Sequence, residues 1–126
     1  PAIQVGDQIS TSGQLPLVSG SLPMTGLVGD QISQGDAAGQ ARVAALNALA
    51  AAADVAGGVN NIRRVVRVVV YVASTADFTA QPAVANGASE LFGEIFGDAG
   101  RHIRSAIGVA SLPLGAPVKV ELTVQV

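Results

Sequence analysis

The C-terminal run from Val118 to Val126 constrains the fold most tightly, because its hydrophobic alternation is uninterrupted. Every second position is apolar, at Val118, Val120, Leu122, Val124 and Val126. The positions between them are polar, at Lys119, Glu121, Thr123 and Gln125. Successive side chains of a β-strand point to opposite faces of its sheet. The run therefore predicts a strand with one face in a hydrophobic core and the other face polar.

A second strand is predicted from Ile103 to Ala110, where apolar residues again recur with a period of two. The segment that follows, residues 111–117, contains the proline and glycine typical of a chain reversal. We therefore expect these two C-terminal strands to pair with each other as a β-hairpin.

This hairpin would bring a cation and a carboxylate onto one patch of the sheet. Its register sets Thr123 opposite Arg104 and places Glu121 one diagonal step away, within roughly 7–8 Å. We expect Arg104 to project from the face without helices, beside the small residues Ala106 and Gly108. Two interpretations stay open: Arg104 and Glu121 form a cross-strand ion pair, or they bind a ligand together.

The rest of the chain supplies two helices and three more strands. Strands are predicted at residues 2–5 and 8–12, joined by a tight Gly-Asp turn, and at residues 62–73. Helices are predicted from Ser33, as N-cap, to about Ala56, and from Thr79 to Phe96 with Pro82 in the first turn. This order predicts a single α+β domain over residues 1–126, in which two helices cover one face of a mixed sheet.

Spacing also predicts which side of each helix is buried. In the first helix the predicted buried stripe is Leu46, Leu49, Ala53 and Ala56. Its predicted solvent face carries Asp36, Gln40, Asn47 and Asp54. In the second helix the predicted core positions are Val84, Ala88, Leu91 and Ile95, with Asn86 and Ser89 off that stripe.

Composition favours an obligate oligomer. The hydrophobic fraction is 49% and the charged fraction is 13%, whereas roughly 25% of residues in a soluble domain are charged. The strand at residues 62–73 is apolar on both faces. Two helices on one side leave its second face uncovered, so we expect Val65, Val69 and Tyr71 to pack against another subunit.

Several classes of function fit the composition poorly. A net charge of −2 with seven Lys and Arg offers no basic stripe for nucleic acid, and no run is long enough to span a membrane. Arg63, Arg64 and Arg67 are interpreted either as an anion site or as solvated charges at a strand end. The sequence has no cysteine, one histidine and no clustered carboxylates, which argues against a metal site. We expect no organic cofactor either.

Nothing at the start of the chain resembles a secretory signal, so a cytoplasmic location is the default expectation. The chain begins with Pro1 rather than methionine, which suggests a missing or removed N-terminal segment.

Several stretches together resemble a known protein family, although each stretch alone is weak evidence for it. They are Thr11 to Pro16, Gln40 to Gly57, Val66 to Val72 with Asp77-Phe78, Arg104-Ser105, and Val109 to Pro113. In this order and spacing the chain resembles the RidA/YjgF family of reactive-intermediate deaminases, also called endoribonuclease L-PSP, which has a chorismate-mutase-like fold. Residues 87–91 and 100–102 are similar to a divergent branch of that family.

The resemblance implies a homotrimer with three clefts at the subunit boundaries. Members hydrolyse imines and enamines, such as 2-aminoacrylate, to 2-keto acids and ammonia. The family arginine that holds the substrate carboxylate falls on Arg104, and a cleft-lining backbone position falls on Gly13. Asn86 matches a family asparagine in the second helix.

This sequence also departs from the family pattern around the expected site. Thr123 stands where the family usually has a glutamate, with Glu121 two residues earlier; Ala106 stands where a cysteine is common. His102-Ile103 replaces Pro-Ala. We expect Ala106 and Thr123 to line the substrate site and Glu121 to position water. The alternative is a non-catalytic trimer that binds a small carboxylate and regulates another process.

Overall fold

The computed structural model describes residues 1–126, which form one five-stranded sheet and two α-helices. The strands are β1 (Ala2–Val5), β2 (Gln8–Thr11), β3 (Arg64–Ala73), β4 (Ile103–Val109) and β5 (Val118–Gln125). The helices are α1 (Gln34–Ala56) and α2 (Gln81–Phe96). The sheet order is β1-β2-β5-β3-β4, with β3 and β4 parallel and the other pairs antiparallel. The predicted mixed sheet with two helices on one face is confirmed.

The helix ends follow the local signals in the sequence. The Ser33 side chain accepts a hydrogen bond from the Asp36 amide at 3.1 Å, which satisfies a free donor in the first turn of α1. Gly57 ends α1 in the left-handed conformation at φ 81°, where a residue with a Cβ would be strained. Pro82 lies in the first turn of α2, where its missing N–H costs nothing.

The predicted hairpin between the last two strands is wrong. β4 and β5 both pair with β3, which lies between them. The connection crosses the end of β3 instead of turning back, and the Ala73 amide donates to the Pro117 carbonyl at 2.9 Å. Alternation predicts which face a side chain occupies, but not which strand lies alongside, and β3 needed two neighbours to satisfy its backbone.

The buried face of α1 differs from the predicted one. Leu46 is 52% exposed, whereas Gln40, predicted to face solvent, is buried at 8% exposure. Asn47 is not solvated either, because its Nδ2 donates to the carbonyls of Leu15 and Leu17, each at 3.0 Å. The buried face consists mainly of alanines and is centred on Ala37, Ala41, Ala44, Ala45, Ala48 and Ala52. Leu49 is buried as predicted, at 5% exposure, but the alanine side chains carry little periodic signal, so most of the buried face was not predicted.

The helices approach each other closely where a glycine allows it. A Cβ on Gly87 of α2 would overlap the carbonyl oxygen of Ala38 in α1. In α2, Val84, Ala88 and Leu91 are buried as predicted, whereas Ile95 is 42% exposed near the helix end.

The sheet face without helices, hereafter the open face, carries several exposed apolar side chains. Strand register places Ile3, Ile103 and Ile107 there, and they are 67%, 63% and 45% exposed. Val69 and Tyr71 also face this side, but Val65 does not: it is fully buried under the helices. A register shift between Val65 and Arg67 reverses the alternation there, which corrects the prediction for Val65. None of the helices is long and apolar enough to cross a membrane.

Candidate functional site

The residues predicted to form one site lie on two faces of the sheet. Arg104 pairs in register with Val68, a core residue under the helices, so it projects from the helix-covered face at the sheet edge. Glu121 pairs with Val69 and lies on the open face. The expected convergence of Arg104 and Glu121 within one chain is therefore wrong, as is the expectation that Arg104 projects away from the helices. The two side chains do not form an ion pair.

Arg104 is held by two residues of α2. Its Nη1 donates to Asn86 Oδ1 at 2.7 Å and to Ser89 Oγ at 3.2 Å. Asn86 and Ser89 are three residues apart on the helix and therefore share a face. The fold thus brings together Arg104 and Asn86, two of the residues singled out from the sequence.

The rest of the Arg104 guanidinium is unoccupied by protein. The two α2 acceptors engage Nη1, whereas Nε and Nη2 have no hydrogen-bond partner within the chain. These two nitrogens form an edge that can bind a carboxylate with two parallel hydrogen bonds. Because Nη1 is tied to α2, the guanidinium orientation is fixed before any ligand arrives, which lowers the entropic cost of binding.

A histidine extends the hydrogen-bond chain beyond Arg104. His102 Nε2 lies 2.9 Å from Ser89 Oγ, and His102 Nδ1 lies 2.6 Å from the Gly100 carbonyl oxygen. A carbonyl can only accept, so Nδ1 carries the proton and Nε2 of the neutral ring accepts from the Ser89 hydroxyl. The edge of the imidazole also packs against Phe92, with ring centroids 5.9 Å apart.

These groups border a shallow depression of about 590 Å³, hereafter the Arg104 depression. It is lined by Ser89, Gly93, Gly97, Gly100, Arg101, His102 and Arg104. No apolar side chain and no carboxylate contributes to this lining, so the depression favours a small anionic or polar ligand. Ala106, the next residue of β4 on the same face, is half-buried and packs against the core without reaching the depression.

The remaining predicted site residues lie together on the open face. Gly13 adjoins the Lys119 side chain so closely that a Cβ on the glycine would lie 2.6 Å from Cδ of the lysine. Thr123 Oγ1 is 3.0 Å from Ser10 Oγ, so its hydroxyl is already hydrogen-bonded. Glu121 interacts with the Tyr71 phenol, and this interaction raises the pKa of Tyr71.

The arginine cluster at the start of β3 forms an exposed rim. Arg64 Nη2 donates to the Arg101 carbonyl at 2.9 Å, which ties β3 to the segment before β4. Arg63 and Arg67 are exposed and form no side-chain hydrogen bond or ion pair. No group of three or more His, Cys, Asp or Glu side chains is arranged to hold a metal ion.

Ser89 and His102 were not predicted as site residues, although the sequence contains a signal for them. Ser89 follows Asn86 by three positions in a helix, and His102 precedes Arg104 by two positions at the start of a strand. Both spacings place side chains on a common face. The contact between α2 and β4 could not be predicted from the sequence, because it depends on the order of the strands in the sheet.

Comparisons with known proteins agree with the fold. The family model described as "YjgF/chorismate mutase-like, putative endoribonuclease" matches residues 1–126. Protein TCP17 of Trypanosoma cruzi is 40% identical over 121 residues, covering 95% of this chain and 76% of that protein.

Two crystal structures superimpose closely on this chain. The protein Atu1372 of Agrobacterium tumefaciens, of unknown function, has a TM-score of 0.97 at 39% identity, covering 100% of this chain and 81% of that one. A candidate endoribonuclease from Shewanella oneidensis has a TM-score of 0.96 at 32% identity, covering 100% and 83%. On the match of the family model to the whole sequence, this chain belongs to the RidA/YjgF family.

Proposed function

We propose that the protein hydrolyses reactive imino and enamino acids of the 2-aminoacrylate type to 2-keto acids and ammonia. The observation that carries the proposal is the Arg104 guanidinium, whose Nη1 is fixed by Asn86 and Ser89 while Nε and Nη2 stay free. A planar 2-imino acid has a carboxylate next to the reacting carbon. Binding that carboxylate side-on at the Nε–Nη2 edge would fix the orientation of the reacting carbon for attack by water.

The proposed assembly is a homotrimer that joins the two halves of the site. Arg104 and Asn86 lie at the β4 edge, whereas Gly13, Glu121 and Thr123 lie on the open face. One chain cannot bring these groups together, but the edge of one copy could meet the open face of another. The exposed isoleucines of the open face support this arrangement, because such a surface is normally covered.

In this arrangement Arg104 and Asn86 bind the substrate, and the neighbouring copy closes the opposite wall with Gly13, Thr123 and Glu121. We assign Glu121 the role of orienting the attacking water. Ala106 fills the space behind Arg104 in this arrangement. The proposal includes no cofactor, metal, membrane or nucleic-acid partner. A net charge of −2 and the absence of an aromatic stacking surface weigh against RNA binding.

One observation favours a second function, a non-catalytic trimer that binds a small carboxylate as a regulatory signal. The Thr123 hydroxyl is hydrogen-bonded to Ser10 at 3.0 Å, and threonine has no carboxyl group that could act as an acid or a base. The carboxylate-binding edge of Arg104 would serve such a protein equally well. Carboxylate affinity alone therefore does not distinguish the two functions, and turnover does.

The distinguishing experiment measures decay of 2-aminoacrylate generated in place by a pyridoxal-phosphate-dependent serine dehydratase. The deaminase proposal predicts faster disappearance of the enamine and faster ammonia release on adding this protein, with the dehydratase alone as baseline. The Arg104→Ala variant should return the rate to that baseline. Tight binding of pyruvate with no acceleration would instead support the regulatory function.

A further inference from the structure

A second cavity, hereafter the Gly108 recess, lies at the opposite end of β4 from Arg104, and the proposed function does not use it. Its volume is about 550 Å³, within the range of small-molecule sites. Strands β3 and β4 are parallel and are joined through α2, so their carboxyl ends meet at this edge of the sheet. The crevice outside the carboxyl ends of parallel strands is a common place for a ligand. The recess shares no lining residue with the Arg104 depression, so the two cavities are separate.

A glycine makes room for two polar side chains in this recess. Gly108, near the end of β4, pairs in register with the core residue Val72 and therefore faces the helices. A Cβ on Gly108 would lie 2.8 Å from Gln81 Nε2 and 3.2 Å from Ser74 Oγ. The φ of Gly108 is not in the left-handed region, so glycine is needed here for space rather than for its backbone conformation. The missing side chain lets the first residue of α2 and the residue after β3 converge over β4.

These two side chains leave one donor and one acceptor free. Gln81 Nε2 donates to the Phe78 carbonyl at 2.8 Å, which fixes the orientation of the Gln81 amide. Gln81 Oε1 and the Ser74 hydroxyl have no hydrogen-bond partner in the chain, and both side chains are partly exposed. A hydroxyl can donate, whereas a carboxamide oxygen only accepts. A ligand carboxamide matches this pair, because its oxygen can accept from Ser74 while its N–H donates to Gln81.

The rest of the lining is uncharged and largely apolar. Leu27, Phe78 and Val109 supply apolar surface, and no Lys, Arg, His, Asp or Glu side chain contributes. The Asp77 carboxylate accepts from the Thr75 hydroxyl at 2.7 Å and is not part of the lining. Placing an unpaired charge against such a surface is costly. The recess therefore favours a neutral ligand, in contrast to the small anion expected at the other end of β4.

We propose that the Gly108 recess binds a small neutral carboxamide attached to an apolar ring, with Ser74 and Gln81 as its polar contacts. This site is separate from that of the proposed deamination and does not depend on it. The probe is benzamide, and its amide chemical-shift titration with the isotope-labelled protein tests the site. We expect shifts centred on Gly108 and the start of α2, with a dissociation constant on the order of 1 mM for a ligand of so few atoms.

Benzoate has the shape of benzamide but carries a charge and no N–H at neutral pH. It should bind the recess at least about 10-fold more weakly, because its carboxylate would face Gln81 Oε1 without a donor between them. Gly108→Ala should push the Gln81 amide aside and weaken benzamide binding by about 2- to 10-fold. Gln81→Met removes the acceptor at a similar side-chain length and should have a similar effect.

Two variants serve as controls for benzamide binding. Gly35→Ala places a Cβ in open space in the first turn of α1, and Arg104→Ala alters only the other cavity, so both should bind like the parent. Gln81→Met leaves the β4 backbone unchanged and keeps the test valid if Gly108→Ala does not fold. The proposal would be overturned by unchanged affinity in Gln81→Met, by benzoate binding in the recess as tightly as benzamide, or by shifts that map to the Arg104 depression instead.

Discussion

The Tyr71 phenol and the Glu121 carboxylate interact on the open face of the sheet. Tyr71 on β3 pairs with Lys119 on β5, and Glu121 is the next residue of β5 on that face. The neighbouring Glu121 carboxylate raises the pKa of Tyr71, with partial burial as the next cause. Lys119 Nζ lies 5.2 Å from the centroid of the tyrosine ring and completes the cluster.

Replacing Glu121 with glutamine should lower the pKa of Tyr71 toward its ordinary value. The phenolate is disfavoured beside a carboxylate, so removing that charge makes deprotonation easier. The chain has one tyrosine and no tryptophan, so an ultraviolet titration of tyrosinate absorbance reports this group alone.

The same shift predicts how stability depends on alkaline pH. Because the pKa of Tyr71 is higher in the folded chain, its contribution is fully present below the unfolded value, about 10, and is lost as pH rises through the folded value. Glu121→Gln should shrink this alkaline loss. Glu94→Gln, at a surface carboxylate paired with Arg42 on the helices, is the control that should leave the tyrosine titration unchanged. Identical tyrosine titrations for the parent and Glu121→Gln would refute the assignment.

The close approach of the two helices predicts opposite effects for two glycine substitutions. Gly87→Ala should destabilise the fold by about 1–3 kcal/mol, because the new Cβ overlaps the Ala38 carbonyl and forces the helices apart. Gly39→Ala places a Cβ in open space in α1 and should stabilise by about 0.4–1 kcal/mol. Urea denaturation of both variants tests this, and equal effects on the midpoint would argue against the helix contact.

The proposed trimer predicts that a charge on the open face prevents assembly. Ile107 is 45% exposed there beside Tyr71, so Ile107→Glu should bury an unpaired carboxylate on association and shift the protein to monomers. Leu46→Glu, at an exposed leucine of α1, should leave the assembly intact. Light scattering at low micromolar concentration measures both. A parent chain that is a folded monomer under these conditions would contradict the trimer.

The parts of the fold that local chemistry determines were predictable from the sequence. The capping hydroxyl of Ser33, the left-handed Gly57 and the alternation of β5 each depend on a few neighbouring residues. The partner of each strand was not predictable in this way, because alternation is the same whichever neighbour a strand has. The register shift between Val65 and Arg67 also has no signal in the sequence, so Val65 was predicted on the wrong face of the sheet.

The same distinction between local patterns and strand pairing applies to the prediction of the candidate site. Arg104 was singled out from the strand pattern and Asn86 through the resemblance, and the fold places them 2.7 Å apart between Nη1 and Oδ1. The association of Arg104 with Glu121 failed because it depended on the hairpin, which β3 interrupts. Ser89 and His102 became visible only when the contact between α2 and β4 was known.

The most direct test of the account is the affinity of Arg104 variants for pyruvate, measured by calorimetry at matched salt. Arg104→Ala removes the carboxylate-binding edge and should weaken binding by roughly 1.5–3 kcal/mol, about 10- to 150-fold, with folding unchanged. Arg63→Ala, at an exposed arginine with no side-chain partner, should bind like the parent. If Arg104→Ala bound pyruvate as tightly as the parent, Arg104 would be structural and the proposed site would be wrong.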